Sequence, residues 1–218
     1  MFGIHKMLFA KLRRKIIFLS FCASLLFIVL AFFVHKDVFR SVDYQSMMSL
    51  QRLFPAWADI PFSILTLTGS SEVILLAIFT IFVFLYIRKK ILFTGIFLIV
   101  AIYVIELLGK LSIYHPHPPT MLNRYVFSFY MPSSFLVKTN FSFPSGHMAR
   151  SVFIACIFIY FIYCLRKNVR SRRFLMVLTG FYIISMIISR IYLGEHWLSD
   201  VLGGVLLGFS VAGFALVF

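Results

Sequence analysis

The segment Phe143-Pro144-Ser145-Gly146-His147 is a short polar turn at the start of a predominantly apolar run that continues to Leu165. Proline is well tolerated in the first turn of a helix, because its missing N–H would have no partner there. The run that follows is long enough to form a helix of about 30 Å, which matches the hydrocarbon thickness of a bilayer. The segment therefore predicts a membrane-spanning helix that begins in a polar turn.

The composition of the whole chain favours the same class of protein. Of its 218 residues, 61% are hydrophobic and 13% are charged, and the charged share is about half of that in typical soluble domains. A soluble fold of this length could not bury so much apolar surface. We therefore predict an all-α polytopic membrane protein with a single domain, residues 1–218, whose core helices occupy about 70–218.

Apolar runs separated by basic clusters, glycine and proline indicate six membrane-spanning helices. The predicted helices occupy residues 16–34, 72–87, 91–108, 145–165, 174–190 and 197–218. Between the first two, residues 35–60 mix charges with amphipathic stretches and contain Trp57. This composition is typical of a segment that lies along the membrane interface, where we expect it to cover the outer face.

The distribution of lysine and arginine predicts the orientation. Clusters within residues 6–15, 88–90 and 166–173 fall on one side in a six-helix count and hold 13 of the 21 basic residues. The positive-inside rule makes that side, with the N-terminus, cytoplasmic. The polar segments 110–147 and 190–200 then face the periplasm or the outside. We expect a multi-pass protein of a bacterial cytoplasmic (inner) membrane.

The net charge of +14 would attract nucleic acid if the chain were soluble. The basic residues lie instead between apolar runs, and no groove-reading or base-stacking module accompanies them. The seven acidic residues are dispersed along the chain, whereas Mg²⁺ and Ca²⁺ sites need clustered carboxylates. We expect the bilayer and a lipid as partners, with no nucleic acid, no metal and no cofactor. The oligomeric state is left undetermined.

The turn at residues 144–147 can bind an anion. Free N–H groups and the positive end of the helix dipole attract negative charge, and Gly146 lets a ligand approach the backbone. In isolation, a Ser-Gly-His tripeptide is more often a helix cap with a satisfied histidine.

His196 and Asp200 are four residues apart and so share one face of a helix. A carboxylate on one ring nitrogen fixes the tautomer and raises the basicity of the other nitrogen, which a nucleophile or general base requires. The alternative is a helix cap and interface anchor beside Trp197.

Lys110 and Arg190 each end an apolar helix, where a basic side chain commonly extends to the interface. Their coincidence with two histidines and an anion-binding turn at one membrane face favours a phosphate site, because two cations and backbone donors match the charge of a phosphoryl group. Glu106, one helical turn before Lys110, is predicted to form a structural ion pair with it. Glu195 is predicted to be a cap or rim charge.

Three groups of residues resemble the signature of the type 2 phosphatidic acid phosphatase (PAP2) superfamily. They are Lys110, separated by six residues from His117-Pro118; Pro144-Ser145-Gly146-His147; and Ser189-Arg190 with His196 and Asp200. The order and the internal spacings match. One position departs from the signature, because His117 stands where the family usually has arginine. The arginine guanidinium is always charged and can bind phosphate through two parallel hydrogen bonds. Arg124 in the same connection is a candidate substitute.

The resemblance implies metal-independent cleavage of a phosphate ester. His196 would attack phosphorus to form a phosphohistidine, Asp200 would orient its ring, and His147 would protonate the leaving oxygen. The residues that would bind the phosphoryl oxygens are Lys110, Ser145, Gly146, Arg190 and His117. Residue types alone leave open which histidine is the nucleophile.

A site at the outer interface predicts a substrate whose tail stays in the lipid. The candidates are phosphatidylglycerophosphate, phosphatidate, undecaprenyl pyrophosphate and a lipid A phosphate. Two other functions stay open: a lipid phosphotransferase that uses the same intermediate, and a non-catalytic lipid-binding or transport protein.

Overall fold

The computed structural model describes residues 2–87, 97–127, 139–165 and 168–217, and within these ranges the regular structure is helical, with no strand. The all-α prediction is therefore confirmed for this part of the chain. The helices are α1 (Phe2–His35), α2 (Arg40–Leu53), α3 (Asp59–Leu67), α4 (Ser71–Ile87), α5 (Ile99–Ser112), α6 (Gly146–Leu165), α7 (Val169–Tyr192) and α8 (Leu198–Ala215).

Four helical segments are long and apolar enough to cross a membrane. They are Leu12–His35, Gly146–Cys164, Val169–Tyr192 and Leu198–Ala215. The segments Ala56–Leu67 and Ser71–Thr80, bent by 46° at the break between them, pass the same test as a pair. The described residues thus contain four spans, or five if the bent pair is one span, and six spans remain a prediction.

Several helix boundaries differ from the predicted ones, and the largest difference is in α1, which begins at Phe2 instead of residue 16. α7 begins at Val169 instead of residue 174, because the Asn168 side chain accepts hydrogen bonds from the backbone of Arg170 and Ser171 and caps the helix upstream of its apolar part. α5 continues to Ser112, past the predicted end at 108. The start of that predicted helix, with the basic residues 88–90, lies outside the described residues.

Small residues let the central helices approach closely. A Cβ on Gly204 would lie 2.5 Å from the Ser145 carbonyl oxygen, so α8 packs directly against the start of α6. Gly208, one turn further on, faces the backbone of Ala149 in the same way. Close packing of small residues is a common way to join helices in a membrane, where the hydrophobic effect does not drive association.

The segment predicted to lie at the interface forms α2, the turn Ala56–Ala58 and the start of α3. α2 packs against α7 and α8, and its buried face carries Asp43, Met47 and Gln51 at four-residue intervals. The Gln51 amide donates to the carbonyl oxygens of Leu122 at 2.7 Å and Tyr192 at 2.9 Å. Through Gln51, α2 therefore holds the connection after α5 against the end of α7.

The bundle has two chemically different ends. At one end, the Tyr114 amide donates to His35 Nδ1 at 3.1 Å, which places the end of α1 beside the connection that follows α5. At the other end, the Arg172 guanidinium lies 4.9 Å from the centre of the Tyr163 ring, near the end of α6. The basic first turn of α7 is therefore remote from the polar residues predicted to form a site.

Candidate active site

The segments that carry the predicted site residues meet at one end of the bundle. The Ser145 amide donates to the Asp200 carbonyl oxygen at 3.0 Å, joining the turn before α6 to the start of α8. A Cβ on Gly109 would lie 2.7 Å from Pro144 Cδ, so α5 packs against the same turn. His147 directly follows this turn, in the first residues of α6. The structure therefore brings together residues that are far apart in the sequence.

His196 and Asp200 form the predicted pair. His196 Nδ1 lies 3.1 Å from Asp200 Oδ2, and the Trp197 amide donates to the same oxygen at 3.1 Å. Oδ2 already accepts from this amide; as an acceptor toward the ring as well, it places the ring proton on Nδ1 and leaves Nε2 with its lone pair. Burial, followed by the positive charge of Arg190, lowers the pKa of His196 well below its usual value. The ring is therefore neutral near pH 7 and can act as a nucleophile or base.

Arg190 is buried at the end of α7 and held by two partners. Its Nη1 donates to Thr66 Oγ1 at 2.5 Å and pairs with the Glu195 carboxylate. The neighbouring Ser189 hydroxyl donates to the Phe62 carbonyl oxygen at 3.0 Å, which anchors α3 and its threonine beside the arginine. Glu195 is thus an ion-pair partner of Arg190, a role that the prediction of a cap or rim charge did not include.

Two buried donors of the predicted phosphate site have no hydrogen-bond partner within the described residues. They are the Ser145 hydroxyl and the Nε of Arg190. Buried polar groups in proteins are nearly always paired, because an unmet donor costs free energy. Two open donors at the same end of the bundle as the His196–Asp200 contact are an arrangement that an anionic ligand could satisfy.

Lys110 is held by the glutamate that the sequence predicted. Its Nζ lies 2.7 Å from Glu106 Oε1, which confirms the ion pair. The second oxygen of Glu106 is 2.6 Å from Nη1 of Arg150, a residue only 3% exposed. The sequence reasoning missed Arg150, although an arginine inside an apolar run and one turn after His147 is a signal for a functional or paired charge.

The family model of the PAP2 superfamily matches residues 90–218, which carry all three groups of signature residues. The chain belongs to the PAP2 superfamily.

Similar proteins agree with this assignment. Phosphatidylglycerophosphatase B of Bacillus subtilis (strain 168) is 27% identical over 199 residues, covering 87% of this PAP2 chain and 91% of that protein. The crystal structure of a transmembrane PAP2-type phosphatidylglycerolphosphate phosphatase from Bacillus subtilis has a TM-score of 0.74 at 21% identity, covering 90% of this chain and 94% of that one. Aquifex aeolicus LpxE has a TM-score of 0.59 at 21% identity, covering 81% and 96%. At this identity, the structural likeness establishes the fold.

The position at which this PAP2 chain departs from the signature lies on an open cavity. His117 is exposed and lines a cavity of about 410 Å³ together with Asp43, Tyr44, His115 and Trp197. Desolvation of the ring lowers the pKa of His117. The ring is then neutral near pH 7 and can offer phosphate a hydrogen bond but no charge, whereas an arginine would offer both.

Arg124, the candidate substitute for the missing arginine, is engaged elsewhere. Its Nη1 donates to the Tyr192 hydroxyl at 3.1 Å and lies 3.9 Å from Asp59 Oδ1, and its guanidinium lies 5.2 Å from the centre of the Tyr192 ring. These partners join the connection after α5 to α3 and α7. The contacts argue against Arg124 as a phosphate ligand of this PAP2 chain.

Gly146 faces a carboxylate. A Cβ at this position would overlap the Glu106 side chain, whose two oxygens are held by Lys110 and Arg150. Besides the expected approach of a ligand, this contact is a second reason for glycine at position 146. Within the described residues, no group of three His, Cys, Asp or Glu side chains is arranged to hold a metal ion.

Proposed function

We propose that this protein is a lipid phosphate phosphatase that works through a phosphohistidine on His196. The observation that carries the proposal is the contact of the neutral His196 ring with Asp200, at the same end of the bundle as the open donors of Ser145 and Arg190. A nucleophile needs a free lone pair, and phosphoryl transfer needs positioned donors for the equatorial oxygens. Both requirements are met by residues that the family signature selects.

In the first step, His196 Nε2 attacks phosphorus, and the bond from phosphorus to the lipid oxygen breaks. His147 gives a proton to the leaving oxygen, so the lipid departs as an alcohol from a phosphate monoester and as the lipid monophosphate from a pyrophosphate. In the second step, water attacks the phosphohistidine, His147 takes a proton from that water, and inorganic phosphate leaves. The residues proposed to hold the phosphoryl oxygens are Lys110, Ser145, Gly146 and Arg190, with His117 as a further, uncharged contact.

The substrate enters a site whose cations already have anionic partners. Lys110 is paired with Glu106, and Arg190 with Glu195. A buried cation without a partner would be costly, so these carboxylates stabilise the two cations. A phosphate with two charges and several acceptor oxygens can compete for both cations, and it also satisfies the donors of Ser145 and Arg190 that the carboxylates leave open.

We propose phosphatidylglycerophosphate as the first substrate to test, because the relative from Bacillus subtilis is a phosphatidylglycerophosphatase. Phosphatidate, undecaprenyl pyrophosphate and a lipid A phosphate are the other candidates. We further propose a single domain over residues 1–218 in a bacterial inner membrane, with six spans and the N-terminus in the cytoplasm. Support for this orientation comes from the basic residues at the end of the bundle away from the site.

The test of this proposal is phosphate release from these four lipid phosphates in mixed micelles with EDTA present. We expect release from at least one lipid, undiminished by EDTA, because the proposed steps use side chains alone. Loss of release with EDTA would contradict metal independence. Transfer of the phosphoryl group to an added lipid or sugar alcohol in preference to water would identify a transferase. Binding of the lipids with no turnover would identify a non-catalytic protein.

The contact between Gly146 and Glu106 predicts a large effect of a single methyl group. In Gly146→Ala, the Cβ would push the Glu106 carboxylate away from Lys110 and Arg150. We expect kcat/KM for phosphate release to fall about 10- to 100-fold, because small displacements of positioned groups are costly in catalysis.

Gly180→Ala in α7 is the matched control, since a Cβ there has no neighbour within 4 Å. This variant should keep full activity and gain up to about 1 kcal/mol of stability from the better helix propensity of alanine. Equal activities of the two variants would show that the close contact at Gly146 has no role.

A further inference from the structure

His115 is a buried imidazole that the PAP2 signature does not include, two residues before His117. Its carbonyl oxygen accepts hydrogen bonds from the Ser142 amide at 2.9 Å and the Ser142 hydroxyl at 3.0 Å. Ser142 immediately precedes the Phe143–His147 turn. The backbone of His115 therefore ties the connection after α5 to the turn that begins α6.

The His115 side chain reaches the start of α8. Its Nε2 lies 3.1 Å from Ser199 Oγ, 3.7 Å from Asp200 Oδ1 and 3.6 Å from Asp43 Oδ2. Asp43, on α2, accepts hydrogen bonds from both the amide and the hydroxyl of Ser199, each at 2.8 Å. One imidazole nitrogen thus faces two carboxylates and the serine between them.

The number of protons on Ser199 decides which atom donates in its contact with His115. The one hydroxyl proton of Ser199 goes to Asp43, so Ser199 Oγ can only accept from His115. His115 Nε2 must therefore carry a proton. Burial lowers the pKa of His115 to about 4, so the ring is neutral near pH 7 and has this single N–H.

The same nitrogen lies 3.7 Å from Oδ1 of the catalytic carboxylate, which is beyond hydrogen-bond distance but close enough for electrostatic attraction. Asp200 Oδ2 is in hydrogen-bond contact with His196 Nδ1 and the Trp197 amide. Oδ1 has no hydrogen-bond partner in the described part of the chain. Asp43, His115, Ser199 and Asp200 are all at most 4% exposed. In so dry an environment, an N–H close to a carboxylate oxygen exerts a strong orienting force.

We propose that His115 and Asp43 are positioning residues for the reaction, acting through the start of α8 on Asp200 and hence on His196. Asp43 holds the backbone and hydroxyl of Ser199, and His115 holds Ser199 and the free side of the Asp200 carboxylate. α2 thereby supplies part of the support for the nucleophile, in addition to covering the site. This inference rests on the proposed function.

The test compares substitutions that move or remove one N–H. Glutamine places its amide nitrogen near the position of a histidine Nε2, asparagine places it near that of Nδ1, and leucine has none. We expect His115→Gln to keep kcat within about threefold of the wild type. His115→Asn and His115→Leu should lose about 10- to 100-fold in kcat, the size of effect seen when a group that orients a metal-binding histidine is removed. KM should be unchanged, because the proposed phosphate ligands are not altered.

The measurements are kcat and KM for phosphatidylglycerophosphate and phosphatidate in mixed micelles, normalised to folded protein, together with the thermal midpoint. His35→Leu is the matched control, because this exposed histidine lies at the same end of the bundle and accepts a hydrogen bond from the backbone amide of Tyr114. This variant should keep full kcat. Asp43→Asn should lower kcat, and adding it to His115→Leu should cost less than the product of the single effects, because both act on Ser199.

The outcomes separate this inference from the proposed function. If the wild type releases no phosphate from any of the four lipids, the proposed function fails. If the wild type is active and His115→Asn and His115→Leu match it in kcat per folded protein, the positioning role is wrong, even where the thermal midpoint falls. If glutamine loses as much activity as leucine, the N–H at Nε2 is not the group that acts.

Discussion

Replacement of His196 by alanine should lower phosphate release by more than about a thousandfold, because the reaction then has no nucleophile and keeps only binding and electrostatic stabilisation. Binding should survive, since Lys110, Ser145 and Arg190 are untouched, and Lys110 and Arg190 are held by hydrogen bonds to Glu106 and Thr66 that do not involve His196. The measurements are kcat for the best lipid of the panel and inhibition by inorganic phosphate, which reports on the binding groups alone.

A covalent readout accompanies this prediction. Wild-type protein quenched during turnover of a radiolabelled phosphate ester should carry label that is lost in acid and stable in base, as expected for a phosphorus–nitrogen bond. His196→Ala should carry none, whereas His35→Ala should be labelled and fully active. Retention of more than about a tenth of the activity in His196→Ala would contradict the assignment, because loss of a nucleophile costs orders of magnitude.

The role of His147 predicts a dependence on the leaving group. For a lipid phosphate, the departing alkoxide needs a proton, and loss of the general acid in His147→Ala should cost about 10²- to 10⁴-fold in kcat. p-Nitrophenyl phosphate releases a stable phenolate that leaves without protonation. We expect His147→Ala to lose much less activity with that substrate than with the lipid, whereas His196→Ala should lose activity equally with both.

The comparison decides between the two histidines, which residue types alone do not. An equal loss with both substrates in His147→Ala would contradict a role as general acid. If the two variants showed the reverse pattern, with His196→Ala sensitive to the leaving group and His147→Ala not, their roles would be exchanged. The geometry favours the present assignment, because His196 has the carboxylate on Nδ1 that leaves Nε2 free to attack.

Charge balance explains why the site can exist at the end of a membrane bundle. Three cations, Lys110, Arg150 and Arg190, are buried or nearly so, and Glu106 and Glu195 pair with them. An unpaired cation in so dry a place would cost several kcal/mol. Glu106 serves two cations at once and lies against Gly146, so it couples α5 to α6 directly at the predicted phosphate site.

Much of this protein follows from local patterns in the sequence. Long apolar runs require helices, since a backbone in lipid must satisfy its own hydrogen bonds, and the all-helical prediction is confirmed in the described residues. The pairing of His196 with Asp200 and of Glu106 with Lys110 could also be predicted, because residues four apart on a helix are neighbours. The order and spacing of the three signature motifs along the chain were enough to predict membership of the PAP2 superfamily.

Contacts between distant segments were decided by the tertiary structure alone. The sequence places Asp43 in an interfacial stretch and His115 in a proline-rich connection, and nothing in either pattern indicates that both meet Ser199. Likewise, the sequence shows Arg150 only as a single charge in an apolar helix. The packing of α5 against α6 supplies its partner, Glu106. The physical reason is that periodicity and spacing report on a helix and its own faces, whereas the partner of each face depends on how closely the helices pack. In this protein that distance is set by glycines such as Gly109, Gly204 and Gly208, whose missing side chains let the backbones touch.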